Sequence, residues 1–229
     1  MDPSRSASGA LRLLRAGSAT VPRARWTATS RWRPGPSTLL VLVSGLSLFG
    51  LGQALQVQAG LGNGPWTVLA QGITVRTGLD LGLTSLAVGI GVLLLWVPLR
   101  ERPGLGTVLN IFVIAATLSF GVRVIPPQGE PAVQFAMSIA GIVLVGLGSG
   151  LYLTCGVGPG PRDGWMTAMH HRSGWPIARV RLLIEVVVLG AGWLLGGAVG
   201  IGTILFALLI GRSVAYGLAL VAAFAPART

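Results

Sequence analysis

The sequence predicts an all-α polytopic membrane protein with about six transmembrane helices, arranged as two inverted three-helix repeats. Three observations lead to this prediction: an apolar composition, an internal duplication, and an opposite charge bias in matched loops. Hydrophobic residues make up 52% of the chain and charged residues 10%, with a mean hydropathy of +0.75. Because a soluble domain carries about 25% charged residues, this composition indicates a protein that lies in the lipid bilayer.

Apolar stretches divide the chain into candidate spans. A helix needs about 20 residues to cross the hydrocarbon core of a bilayer. Stretches of this length lie at 38–58, 81–99, 105–125, 133–155, 180–199 and 201–224. The high glycine content, 35 residues, is typical of closely packed transmembrane helices.

An internal duplication relates the two halves of the chain. Segment 60–65 (Gly-Leu-Gly-Asn-Gly-Pro) returns 96 positions later as segment 156–161 (Gly-Val-Gly-Pro-Gly-Pro). With the same offset, Gly-Leu-Gly-Thr at 104–107 matches Gly-Ile-Gly-Thr at 200–203. The duplication predicts a first three-helix repeat at 37–132 and a second at 133–229.

An odd number of spans in each repeat would make the second copy enter the membrane from the opposite side. The charges agree, since loop 100–104 holds Arg100 and Arg102 while its counterpart 196–200 holds no charge. With the N-terminus in the cytoplasm, the arginines follow the positive-inside pattern of a bacterial inner-membrane protein. Four spans in each copy, and hence parallel repeats, would follow if the short segments described below also crossed the membrane.

The basic residues at the N-terminus form a separate region. All 17 cationic residues are arginines, and seven of them lie before the first span, in a segment rich in Ser, Ala and Pro. We expect residues 1–36 to be a disordered cytoplasmic tail near anionic lipid headgroups. The basic excess is therefore not a nucleic-acid signal.

Two short segments follow the glycine motifs, at 65–77 and 161–173. Each begins with Pro and ends with Arg-Thr or Arg-Ser directly before a Gly, which favours a capped helix of about 13 residues. Such a helix is too short to span the bilayer. It either lies on the surface or enters the membrane as a re-entrant helix.

The paired motifs resemble those of the YczE/YyaS/YitT family of bacterial integral membrane proteins, and most closely its YczE-like branch. The resemblance depends on Gly-Leu-Gly-Asn-Gly-Pro-Trp at 60–66, Gly-Val-Gly-Pro-Gly-Pro-Arg-Asp-Gly at 156–164, and the turns at 104–107 and 200–203. It covers residues 38–225 and implies a polytopic membrane fold. It implies no particular substrate.

The glycine motifs are the first candidates for a functional site. Glycine lets the backbone bend, and the helix that follows directs unpaired N–H groups toward an anion. Many transporters form their binding site where broken helices of two repeats meet. The other interpretation is that the glycines only allow tight turns; the candidates are Gly60, Gly62, Gly64, Gly156, Gly158 and Gly160.

Three charged residues of the second copy are further candidates. Asp163 lies near the start of the second short helix, as a cap or as a ligand for a cation or proton. Glu185 lies in the fifth predicted span and Arg212 near the centre of the sixth, where a charge costs at least about 2.5 kcal/mol unless it faces protein or water. Arg212 is expected to pair with Glu185 or with Asp163.

These features predict a transporter or permease-like protein for a small solute or ion, with no cofactor and no metal site. The sequence contains no nucleophile–base motif or P-loop, so we expect no enzyme activity. The alternative is a non-transporting membrane protein that holds or regulates another protein. The lipid bilayer is the expected environment, and a protein partner or a homo-oligomer is compatible with the sequence.

Overall fold

The computed structural model describes residues 21–227, and the regular secondary structure in that range is helical. Within it, extended pairing is limited to one antiparallel bridge between Ala24 and Pro226. The helices are α1 (Pro36–Ala59), α2 (Pro65–Thr77), α3 (Leu81–Leu94), α4 (Trp96–Leu99), α5 (Leu105–Val124), α6 (Pro131–Thr154), α7 (Pro161–Ser173), α8 (Ile177–Leu194) and α9 (Ile201–Phe224). The all-α prediction is confirmed for the part of the chain that the structure describes.

Five helical segments are long and apolar enough to cross a membrane: α1, α3 together with α4, α5, α6 and α9. Helix α8 is the remaining predicted span, but Arg179, Arg181 and Glu185 make it more polar than the others. It also ends earlier than the predicted stretch 180–199, since Gly196 has a φ of 102° just after it. The sixth span therefore stays a prediction.

The two short helices have the bounds that the sequence predicts for them. Proline occupies the first turn of each, and Gly78 and Gly174 follow their last residues with φ values of 72° and 70°. The terminal arginines bond across the duplication: Arg76 donates to the Leu194 carbonyl at 3.4 Å and Arg172 to the Pro98 carbonyl at 2.8 Å. Each short helix is thus attached to the other copy.

Helices α1 and α6, which occupy matched positions in the two copies, pack against each other through glycines. A Cβ atom at Gly45 would lie 2.9 Å from the Gly148 carbonyl oxygen, and one at Gly52 would lie 2.6 Å from that of Gly141. Residue numbers rise along one helix as they fall along the other, so the pair is antiparallel. The absent side chains allow the close backbone approach that is typical of transmembrane helix pairs.

The glycine motif of each copy also packs against the Gly-x-Gly-Thr turn of the other. Gly106 donates its backbone N–H to the Val157 carbonyl at 2.9 Å, and at the matched positions Gly202 donates to the Leu61 carbonyl at 2.7 Å. The two copies are therefore interlocked by the same contact made twice.

Residues 21–35 differ from the predicted disordered tail, because they lie against the ends of α6 and α9. The Trp26 indole donates to the Thr154 hydroxyl at 3.2 Å, and the Arg25 guanidinium donates to the Phe224 carbonyl at 2.8 Å. The prediction was based on the basic composition of this segment and did not consider the Trp26 indole, which is half-buried in the structure. Residues 1–20 of the predicted tail lie outside the described residues.

Candidate functional site

A cavity of about 240 Å³ lies between the two copies, where the N-termini of α2 and α7 approach each other. This volume corresponds to about eight water molecules. Its lining comes from the two short helices and from the transmembrane helices around them, and includes Gln53, Gly64, Trp66, Thr67, Ser85, Asn110, Tyr152, Gly160, Arg162, Asp163, Arg181, Glu185 and Phe206.

The first turns of α2 and α7 contact each other directly. Trp66 and Arg162 occupy matched positions, and the guanidinium carbon of Arg162 lies 5.0 Å from the centroid of the Trp66 ring. Trp165 adds an edge-to-face contact to Trp66, with ring centroids 6.3 Å apart. Both helix starts therefore pack against each other between the two copies, with Trp66 buried and Arg162 half-buried. The re-entrant and surface alternatives for these helices both stay predictions.

Asp163 faces the cavity and is held by a tyrosine. The Tyr152 hydroxyl donates to the Asp163 carboxylate at 2.8 Å. The N-cap of α7 is Gly160, which has no side chain to cap the helix. Asp163 stands two residues beyond Pro161, where its negative charge is stabilised by the positive end of the helix dipole.

Glu185 also lines the cavity, but its partner is not Arg212, which the sequence suggested. Arg181, one turn earlier on α8, donates to its carboxylate at 2.9 Å. The predicted ion pairs of Glu185 or Asp163 with Arg212 are absent from residues 21–227. A one-turn neighbour forms a pair at lower cost, because no second helix has to be positioned to make the contact.

The structure does not bring Arg212 to the cavity. Its side chain is exposed on the outer face of α9, in line with the exposed Ile204 and Leu208. Its neighbour Ser213 faces inward, since a Cβ at Gly146 would lie 2.5 Å from the Ser213 Cβ. One residue turns a helix by about 100°, so Arg212 points away from the bundle.

The six candidate glycines fall into two groups. Gly64 and Gly160 line the cavity at the start of the short helices. The other four, Gly60, Gly62, Gly156 and Gly158, have positive φ values and form the turns before them. For those four the tight-turn interpretation is sufficient.

All four charged groups of the cavity come from the second copy. At the matched positions the first copy carries neutral residues. The matched pairs are Trp66 and Arg162, Thr67 and Asp163, Ser85 and Arg181, and Gly89 and Glu185. The sequence analysis did not select Arg162, Arg181 or Tyr152 as site residues. A comparison of charges between the two copies, position by position, points to both arginines.

One buried amide in the cavity wall lacks a full set of partners. Gln53 is 5% exposed, and its Nε2 donates to the Thr67 hydroxyl at 3.0 Å. Its Oε1 has no hydrogen-bond partner among the described residues. A buried polar atom of this kind is costly unless something else binds it.

The cavity offers charges and hydrogen-bonding groups, which can bind polar solutes. Residues 21–227 contain no group of three His, Cys, Asp or Glu side chains placed to ligate a metal ion. The arrangement is therefore suited to recognition of a small polar molecule.

The comparison with known proteins gives the family. The model of a family of unknown function, DUF6198, matches residues 36–217. The chain belongs to this family. The DUF6198 match begins at the first residue of α1 and covers both short helices, so it includes the whole cavity.

Proteins similar to this DUF6198 member are named as uncharacterized, and one of them is also named as a membrane protein. An uncharacterized protein of Haemophilus influenzae is 44% identical over 88% of this chain and 93% of its own length. The uncharacterized membrane protein YczE of Bacillus subtilis is 32% identical over 82% of this chain and 85% of its own, and the uncharacterized protein YyaS of the same organism is 27% identical over 70% and 82%. The resemblance to the YczE and YyaS proteins is thereby confirmed. No solved structure matches the chain.

Proposed function

We propose that this membrane protein is a secondary transporter that carries a small polar solute through the cavity between its two copies. The observation that carries the proposal is the meeting of two broken helices, one from each copy, at a cavity with charged walls. Discontinuous helices at a repeat interface form the substrate site of many secondary transporters. The helix N-termini supply N–H groups there, and the charged side chains supply specificity.

Two inverted copies can produce alternating access by exchanging conformations, and several contacts support such an inversion. The antiparallel packing of α1 on α6 is what a twofold axis in the membrane plane produces between matched helices. The paired bonds of Gly106 and Gly202, and of Arg76 and Arg172, are reciprocal, as a twofold axis also requires. Together with the arginine bias of the loops, they favour an inner-membrane protein with a cytoplasmic N-terminus.

The matched cavity positions differ in exposure, which supports a structure open to one side. Asp163 and Arg181 of the second copy are exposed. Their counterparts Thr67 and Ser85 in the first copy are only 5% and 7% exposed. If the two copies exchanged conformations, the first copy's side would open and the second copy's side would close, which is the alternating-access cycle.

Cysteine accessibility tests this cycle without knowledge of the solute. Cys155 is the only cysteine in the sequence and is buried, so Cys155→Ala gives a cysteine-free background. Thr67→Cys and Asp163→Cys are then labelled with a membrane-impermeant thiol reagent, in intact cells and in inside-out vesicles. We expect Asp163→Cys to react from the cytoplasmic side, and Thr67→Cys to react more slowly from the outer side because it is closed in this conformation.

Matched controls come from the exposed ends of the short helices. Leu79 and Trp175 occupy equivalent positions and are 46% and 53% exposed, so cysteines there should react rapidly from opposite sides. If Leu79→Cys reacts from outside and Thr67→Cys never does, the cavity does not alternate and the protein does not transport. A non-transporting regulator of another protein gives this second result.

A further inference from the structure

The charges in the cavity identify the chemical class of its ligand more closely. Arg181 and Glu185 are paired at 2.9 Å and neutralise each other. Arg162 and Asp163 remain, one positive and one negative. They are adjacent in sequence but do not form an ion pair among the described contacts. The charges of the cavity therefore sum to zero, with one charge of each sign outside any ion pair.

Arg162 is available to an anionic group. Its guanidinium is half-buried and packs over the Trp66 ring, which leaves the N–H groups at its edge free to donate. It also lies in the first turn of α7, beside backbone N–H groups that have no partner within the helix. A guanidinium beside a helix N-terminus is a suitable partner for a carboxylate.

Asp163 and Gln53 are available to a cationic group. One oxygen of the Asp163 carboxylate accepts the Tyr152 hydroxyl, and the carboxylate has further lone pairs for a second donor. The buried Oε1 of Gln53, which has no partner among residues 21–227, is a second acceptor in the same cavity. An ammonium group carries three donors and can satisfy both acceptors.

A ligand with a single charge would pair with only one of these groups and would give the cavity a net charge, which costs most when the half-buried Arg162 is left without a partner. A zwitterion satisfies both. The cavity volume of about 240 Å³ limits the ligand to a small molecule. We propose that the cavity binds a small zwitterion with one carboxylate and one ammonium group, of the size of a neutral α-amino acid.

This inference rests on the proposed function for the position of the site. It does not depend on transport, because binding is measured separately. The probes are the neutral α-amino acids from glycine to leucine, each compared with its deaminated acid and its amide, as alanine is with propionate and alaninamide. The deaminated acid lacks the ammonium group of the amino acid, and the amide lacks its carboxylate. The measurement is the thermal unfolding midpoint of the full-length protein in detergent.

We expect at least one amino acid to raise the midpoint by roughly 5 °C at about 100 times its dissociation constant, and its deaminated acid and amide to leave it unchanged. Asp163→Asn removes one charge with little change of shape, and Arg162→Gln removes the guanidinium. Each should abolish the shift. Arg212→Gln, which removes a charge outside the cavity, should retain it.

The other results overturn the inference. A shift with the deaminated acids alone indicates an anion site, a shift with the amides alone indicates a cation site, and no shift with any amino acid excludes a zwitterion of this size. A shift with an amino acid together with an unreactive Thr67→Cys contradicts transport but not this inference. A reactive Thr67→Cys without any shift contradicts this inference but not transport.

Discussion

Gly62 lies at the point where the first glycine motif packs against the turn of the other copy, and its replacement by alanine should destabilise the protein strongly. Its φ of 98° is a conformation that residues with a side chain rarely adopt. A Cβ atom there would lie 2.4 Å from the Gly200 nitrogen and 2.7 Å from the Thr203 hydroxyl oxygen. The alanine therefore meets both backbone strain and a steric clash with a fixed turn.

Each of these two effects has a known size. A residue held in an unfavourable backbone conformation costs about 1–3 kcal/mol. Displacing packed neighbours costs about 1–3 kcal/mol more. We therefore expect Gly62→Ala to lower the free energy of unfolding by about 2–6 kcal/mol. For a chain of this length, this corresponds to a fall of roughly 5–20 °C in the unfolding midpoint.

The assay is thermal unfolding of the purified protein in one detergent, with Gly91→Ala as the matched control. Gly91 lies within α3 and has open space where a Cβ would be placed, so alanine should stabilise its helix by about 0.5–1 kcal/mol. Gly158→Ala, in the equivalent turn of the second copy, should also lower the midpoint, since its φ is 113°. If Gly62→Ala and Gly91→Ala have the same midpoint, the contact between the copies does not have the geometry described.

The remaining predictions concern charges outside the cavity. Burial raises the pKa of Asp80, but hydrogen bonds from Ser119, Arg123 and the backbone N–H of Gly82 outweigh it and hold the pKa below its ordinary value of 3.8. The ionised carboxylate therefore stabilises the fold above about pH 4, and this contribution is lost as the pH falls through the lowered pKa. Asp80→Asn should consequently flatten the acid side of a plot of the unfolding midpoint against pH. An unchanged plot would contradict this prediction. Arg212→Leu should leave the labelling of Thr67→Cys unchanged, whereas altered labelling would show that Arg212 acts on the cavity.

The short helices show how much of the fold the sequence could predict. Proline at the start and arginine-x-glycine at the end are local signals, because each acts on the backbone within one turn. The bounds of α2 and α7 follow from them to the residue. The destination of the Arg76 and Arg172 side chains does not, since both bond to carbonyls that are more than 70 residues away in sequence.

The candidate site was predicted in part for a similar reason. Asp163 and Glu185 were predicted as site residues because the matched positions of the first copy carry no charge, and both residues line the cavity. Arg212 has the same sequence signature but lies on the outer face of α9. The apolar sequence around Arg212 has no periodicity that marks an inner face, because a transmembrane helix is apolar on the lipid side and on the protein side alike.

By itself, the sequence determined the class of protein, the duplication, and the bounds of the two short helices. Composition and local backbone preferences are sufficient for these, because they act within a few residues. Only the tertiary structure decided that Trp66 meets Arg162 and that Arg212 faces away from the cavity. Both outcomes depend on how helices distant in sequence rotate and pack against each other. That packing uses close contacts between glycines and also an apolar cluster that contains Trp66, Met166 and Ile184.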